Sequence, residues 1–148
     1  MTIETIQTLG ELKKTATRLP TLREEMRANA IRMLRDKQPV MRGLKGYDDS
    51  VIPQVINAVL CGHNIIILGE RGQGKSRIIR GLVEFLDEYI PAIAECPIHD
   101  NPFAPACSQC RMRSEEMGDR LPIAWIPRDR RLVEKLATSD ISTADLIG

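Results

Sequence analysis

The residues able to do chemistry fall in two short stretches. The first, Gly69-Glu70-Arg71-Gly72-Gln73-Gly74-Lys75-Ser76, fits the phosphate-binding pattern G-x-x-x-x-G-K-[ST]. Gly69, Gly72 and Gly74 let the backbone turn where a Cβ would collide, so that successive N–H groups can face phosphate oxygens. Glu70, Arg71 and Gln73 would contribute backbone N–H groups only. Lys75 is the residue on which phosphate chemistry depends: it places a compact positive charge on the β- and γ-phosphates of a nucleotide. Ser76 offers a hydroxyl to Mg²⁺, so the expected cofactors are ATP and Mg²⁺. A helix opening here adds its positive end. Arg77 and Arg80 follow, as further phosphate contacts or as solvated charges.

The second stretch is Cys96-x2-His99-x7-Cys107-x2-Cys110. Two short-spaced ligand pairs suit a tetrahedral ion, and three thiolates with one imidazole suit Zn²⁺. An iron–sulfur cluster would ordinarily take four cysteines. Pro97, Pro102 and Pro105 stiffen the connection and lower its ordering cost. The competing reading is a polar insertion whose cysteines are incidental. Three of the chain's four cysteines lie between positions 96 and 110, which favours the metal. Such a site would be structural. Cys61 reads as a packing residue and His63 as a polar residue opening a strand.

These stretches need elements to position them. Residues 2–18 carry Ile3, Ile6, Leu9 and Leu12 at helical spacing, a short helix weakened by Gly10. Thr21 and Glu24 form a capping-box pattern, after which Leu22, Met26, Ala30 and Met33/Leu34 share a helical face. Residues 50–61 predict a helix capped by Asp49 or Ser50, with Pro53 in the first turn, Val55, Ile56, Val59 and Leu60 inward, and Gly62 as its stop. "NIIIL" at 64–68 reads as a central strand buried on both faces. Residues 76–90 predict one amphipathic helix with Ile78, Ile79, Leu82, Phe85, Leu86 and Tyr89 inward. Residues 91–121 read as irregular, 122–126 as a second strand, and "RDRRLVEKLA" as a short helix opened by Pro127.

Composition narrows the class. The chain has 148 residues, 43% hydrophobic and 28% charged, which suits one soluble globular domain. Aromatics are only 3%, so the core must be aliphatic. The net charge of +1, from 21 basic and 20 acidic residues, supplies no field for nucleic acid or an anionic membrane. The local basic runs at 111–113 and 128–131 read as solvated surface or nucleotide or subunit contacts. The first thirty residues are too charged for a signal peptide, and the longest apolar run, 65–68, is too short to span a bilayer. The expected compartment is the cytoplasm, where thiols stay reduced.

The stretch from Gly46 to Leu82, "GYDDSVIPQVINAVLCGHNIIILGERGQGKSRIIRGL", resembles the start of an AAA+ ATPase module of the magnesium-chelatase ATPase-subunit and MoxR type. The segment "EKLATSDISTADLIG" at 134–148 resembles that family's approach to its pore-side insertion, so the resemblance covers roughly 20–148. It implies an α/β P-loop fold with a parallel sheet, here incomplete: a helical arm over 1–40, then the N-terminal part of an AAA+ domain over 41–148 with a Cys/His insertion at 91–121. It implies a homo-oligomeric ring in which ATP hydrolysis is coupled to remodelling a partner, often one with a metal-dependent adhesion (von Willebrand A-type) domain, or to metal insertion. It puts Gly46 and Tyr47 where the family wraps adenine, although a plain turn before a helix accounts for them equally. The family's Asp-Glu pair after an apolar strand is not found after Ser76: Asp87-Glu88 falls inside the helix expected at 76–90. This chain is therefore expected to bind ATP without efficient turnover. Rival readings are a nucleic-acid-linked P-loop ATPase, such as a transcription activator or DNA loader, and a non-hydrolysing nucleotide-binding module.

Overall fold

A computed structural model describes residues 6–135 together with 142 and 144. Apart from Glu134, Lys135, Ser142 and Ala144, the segment 134–148 lies outside the described residues.

Helix α1 (Leu9–Lys13) opens on a capping box in which the Thr8 hydroxyl accepts from Glu11 N–H, and Glu11 reaches back to Thr8 N–H. Helix α2 (Leu22–Arg35) opens on the box expected at Thr21 and Glu24. The exposed Glu24 carboxyl is held down at about 2, first by the Arg18 guanidinium and then by the Thr21 N–H. Helix α3 (Val51–Cys61) ends as expected on Gly62, which takes a left-handed φ of 68°. Neither Ser50 nor another side chain caps its N-terminus. The two helices pack through Ala30, Met33, Val55 and Val59, and Met41, Leu44, Ile78 and Phe85 complete the core. Cys61 does not pack there; it is exposed on the outer side of α3.

The buried face of α2 departs from the apolar stripe. Leu22 and Leu34 are exposed, while Glu25 and Asn29 are buried. Asn29 Nδ2 donates to the Phe85 carbonyl and to Asp87 Oδ1, and Glu25 accepts from Asp87 N–H at 2.7 Å. A helix continuing through 85–89 would need the same backbone groups. Helix α4 accordingly stops at Lys75–Gly81, followed by one 3₁₀ turn (Leu82–Phe85) and then strand β1 (Tyr89–Ile93). The helix expected over 76–90 is thus half that length, and Asp87-Glu88 stands outside it.

Strand β1 pairs antiparallel with β2 (Ile123–Pro127), with Pro91 opposite Trp125 and Ile93 opposite Ile123. Residues 6–9 lie along β2: Ile123 N–H donates to Gln7, Leu9 N–H to Leu121, and Trp125 Nε1 to Ile6. Helix α1 joins the β layer, with Leu9 beside Ile93 and Leu121, whereas α2 belongs to the helical core.

Among the described residues this pair is the sheet. The run 64–68, expected as a central strand, is not a strand of this sheet. Ile65 and Ile67 pack on the helical core, but Ile66 and Leu68 are 85% and 88% exposed. A strand buried on both faces needs neighbours to hydrogen-bond its backbone, and the described residues provide none here. Helix α5 (Ser108–Met117) lies in the segment expected to be irregular, and "RDRR" forms a 3₁₀ turn (Arg128–Arg131) rather than an α-helix. No described helix is long and apolar enough to cross a membrane.

Candidate functional site

The glycine loop leaves the irregular run at 63–70 and enters α4 at Lys75. Gly72 and Gly74 have φ of 85° and 69°, a region that a side chain would penalise. Gln73 braces the loop, its Oε1 accepting from Glu70 N–H. Lys75 curls over it: Nζ donates to the Gly69 carbonyl at 2.8 Å and to the Glu70 carbonyl. Ser76, Arg71 and Glu70 are exposed.

Three side chains tie the neighbouring turn, 41–47, to the loop and to the elements that follow it. Tyr47 donates its hydroxyl to the Gln73 carbonyl at 2.9 Å, Arg77 donates to the Gly43 carbonyl, and Glu84 accepts from Met41 and Arg42 N–H. Between turn and loop lies a cleft of about 450 Å³ lined by Leu44, Lys45, Tyr47, Gly72, Gly74 and Arg77 among others. Tyr47 is therefore beside the glycine loop; Gly46 lies in the same turn with φ of 79°. Lys45 was not singled out by the sequence, because a lone lysine in a polar stretch carries no spacing signal. Arg80 faces away into a bidentate pair with Glu134. A second groove of about 390 Å³, under the run 64–68, includes Met26, Val59, Ile65 and Ile67 in its wall and shares no residue with the loop.

No family model, curated protein or solved structure matches the chain.

The cysteine segment folds into a knot beneath β1. Cys96 follows β1, Cys107 stands at the N-cap position of α5 without a side-chain capping bond, and Cys110 lies in its first turn. The x2 spacing thus spans N-cap and N3, positions whose side chains meet over a helix start. Potential ligand atoms of Cys96, Asp100, Cys107 and Cys110 all lie within 4.8 Å of one another. This Cys/Asp cluster could hold a metal ion.

His99, expected as the fourth ligand, is not in it. His99 has φ of 52°, and its exposed side chain lies beside Leu19, Pro20 and Ile90. The left-handed turn sends position 99 outward and brings Asp100, 6% exposed, inward. Asp100 also binds the loop: Oδ1 accepts from Asn101 N–H, Oδ2 from Cys107 N–H at 2.8 Å, and Ala106 N–H is shared between the two oxygens. Burial works against ionisation of Asp100, but the N–H groups of Ala106, Cys107 and Asn101 outweigh it and lower its pKa. Burial likewise opposes a Cys96 thiolate, yet Asp100 and Ile98 N–H groups aimed at the sulfur bring that thiol below its ordinary value. The Cys110 thiol is pushed up to about 12, chiefly by burial and then by the thiols of Cys96 and Cys107. The packing around the knot is thin: Leu9, Ile93 and Leu121, with Phe103 partly buried beside them.

Proposed function

We propose that this chain is an ATP-binding module of an AAA+ ATPase of the magnesium-chelatase and MoxR type. The observation that carries the reading is the loop 69–76, in which a full phosphate-binding pattern coincides with glycines at positive φ and a lysine folded over the loop backbone. The residues that would hold the nucleotide are the loop N–H groups, Lys75 at the phosphates, Ser76 at Mg²⁺, and the 43–47 turn with Tyr47 and Lys45 alongside. Bound Mg²⁺ would screen phosphate charge. The loop supplies fixed donors, and Lys75 has only two neutral carbonyls to give up for an anion.

The activity proposed is ATP hydrolysis in a cytoplasmic homo-oligomeric ring, coupled to remodelling a partner protein or to metal insertion. This chain alone is expected to bind ATP with little turnover, because Asp87 is committed to Asn29 rather than to the loop. Zn²⁺ is the ion proposed for the cysteine knot, in a structural role. Calorimetry with ATP·Mg²⁺ on the chain and on Lys75→Ala tests the reading. Loss of binding with an unchanged circular dichroism spectrum is expected, and equal affinity in both proteins would overturn it.

A further inference from the structure

The knot raises the question of which four groups would take a metal. His99 sits on the far side of its own turn, exposed, while Asp100 shares the 4.8 Å cluster with all three buried or half-buried cysteines. Asp100 can serve only if a lone pair remains. A carboxylate offers about four acceptor sites. The Asn101 N–H occupies one on Oδ1, and the Cys107 N–H one on Oδ2. The Ala106 N–H, 3.0 Å from Oδ1 and 2.9 Å from Oδ2, takes one more between them. The fourth is met by the Cys110 thiol, whose proton leaves on metal loading and so frees that site for the cation.

We propose that Cys96, Asp100, Cys107 and Cys110 form a closed Cys₃Asp Zn²⁺ site, with Asp100 as ligand and His99 as bystander. The proposal rests on the zinc reading above and assigns its ligands. Backbone donors are built to receive the charge of this ligand set. The N–H groups of Ile98 and Asp100 face the Cys96 sulfur, three more bind the Asp100 carboxylate, and Cys107 and Cys110 ride on the start of α5. Four protein ligands leave no open position, so the ion would be structural. Loading releases the three thiol protons to solvent, and no electron is transferred.

X-ray absorption at the zinc edge on the wild-type chain, prepared without chelator, tests the ligand set without any variant. The expected result is one zinc per chain with three sulfurs at about 2.3 Å and one oxygen at about 2.0–2.2 Å. Imidazole outer-shell scattering, or four sulfurs, would overturn the assignment. Metal competition then compares His99→Ala, expected to hold zinc within about twofold of wild type, with Asp100→Asn, expected to weaken it at least about tenfold. Asp100→Cys should retain one ion, and its Co²⁺ form should show stronger sulfur-to-metal charge transfer than wild type. Undiminished zinc and an unchanged Co²⁺ spectrum in Asp100→Asn would reduce Asp100 to a loop-holding residue. Loss of zinc from His99→Ala alone would return the ligand role to histidine while sparing the zinc reading. Wild-type protein free of zinc, or brown with iron, would remove the zinc reading itself.

Discussion

Removing the buried Glu25 carboxylate should destabilise the fold strongly. Glu25 is 3% exposed and receives three donors: Arg131 Nη1 and Nη2 at 2.6 Å each and Asp87 N–H at 2.7 Å. Glu25→Ala leaves a mostly buried guanidinium unpaired, which costs about 3–5 kcal/mol. It also strands the Asp87 N–H, worth about 1–3 kcal/mol where water cannot reach it. Arg131 can turn partly toward solvent, so a net loss of about 4 kcal/mol is expected, or roughly 10–15 °C in Tm for a chain of this size. Arg131→Met alone should cost about 3–5 kcal/mol, because the carboxylate stays buried. Glu25→Leu with Arg131→Met should cost far less than the sum, since the desolvation of both charges disappears together. Urea unfolding of wild type, Glu25→Leu, Arg131→Met and the double variant closes the cycle, with Glu25→Ala measured beside it. Additive losses, or a loss below about 1 kcal/mol for Glu25→Ala, would refute the reasoning.

Acid stability should carry the signature of Glu24. Its folded pKa of about 2 lies below the ordinary 4.5, so its contribution is present above pH 4.5 and is lost as pH falls toward 2; Glu24→Gln should flatten the urea midpoint across that window. Gly62→Ala should cost about 1–2 kcal/mol in denaturant unfolding through its left-handed φ, since the nearest atom to the added Cβ is the movable Arg23 side chain at 3.4 Å. Chelation should raise hydrogen exchange within residues 94–112 while leaving α2, α3 and α4 protected, because the knot is built on its own small cluster. Exchange rising equally in both layers would refute that division.

Elements whose instructions are local were legible in the sequence. Thr21 with Glu24 and Gly62 after Val59 fix the ends of α2 and α3 through groups three or four residues apart. The 122–126 strand was legible from its apolar run. Elements decided by distant partners were not. The stop of α4 depends on Asn29 and Glu25, more than fifty residues away, capturing the backbone at Phe85 and Asp87. Helix α5 has no apolar face to announce it; its buried residue is Cys110. The same holds within the knot. Three cysteines could be found by spacing, but the choice between His99 and Asp100 turns on a positive φ at 99 that the letters C-P-I-H-D do not encode.

The ladder between residues 6–9 and 121–125 has a consequence for the order of events in synthesis. Ile6 meets Trp125 across 119 positions, and Lys13 meets Asp119 across 106. Ile6, Leu9 and Leu12 leave the ribosome well before their partners: Leu9 waits for Ile93 and Leu121, and Ile6 and Leu12 wait for Ile123. At about 5–20 residues per second, that wait lasts several seconds or more. The helical core from Ala30 to Phe85 closes over much shorter spans and can assemble meanwhile. Residues 6–12, made before the helical core, thus dock after it. During that interval their apolar side chains are what a chaperone or a neighbouring nascent chain would encounter.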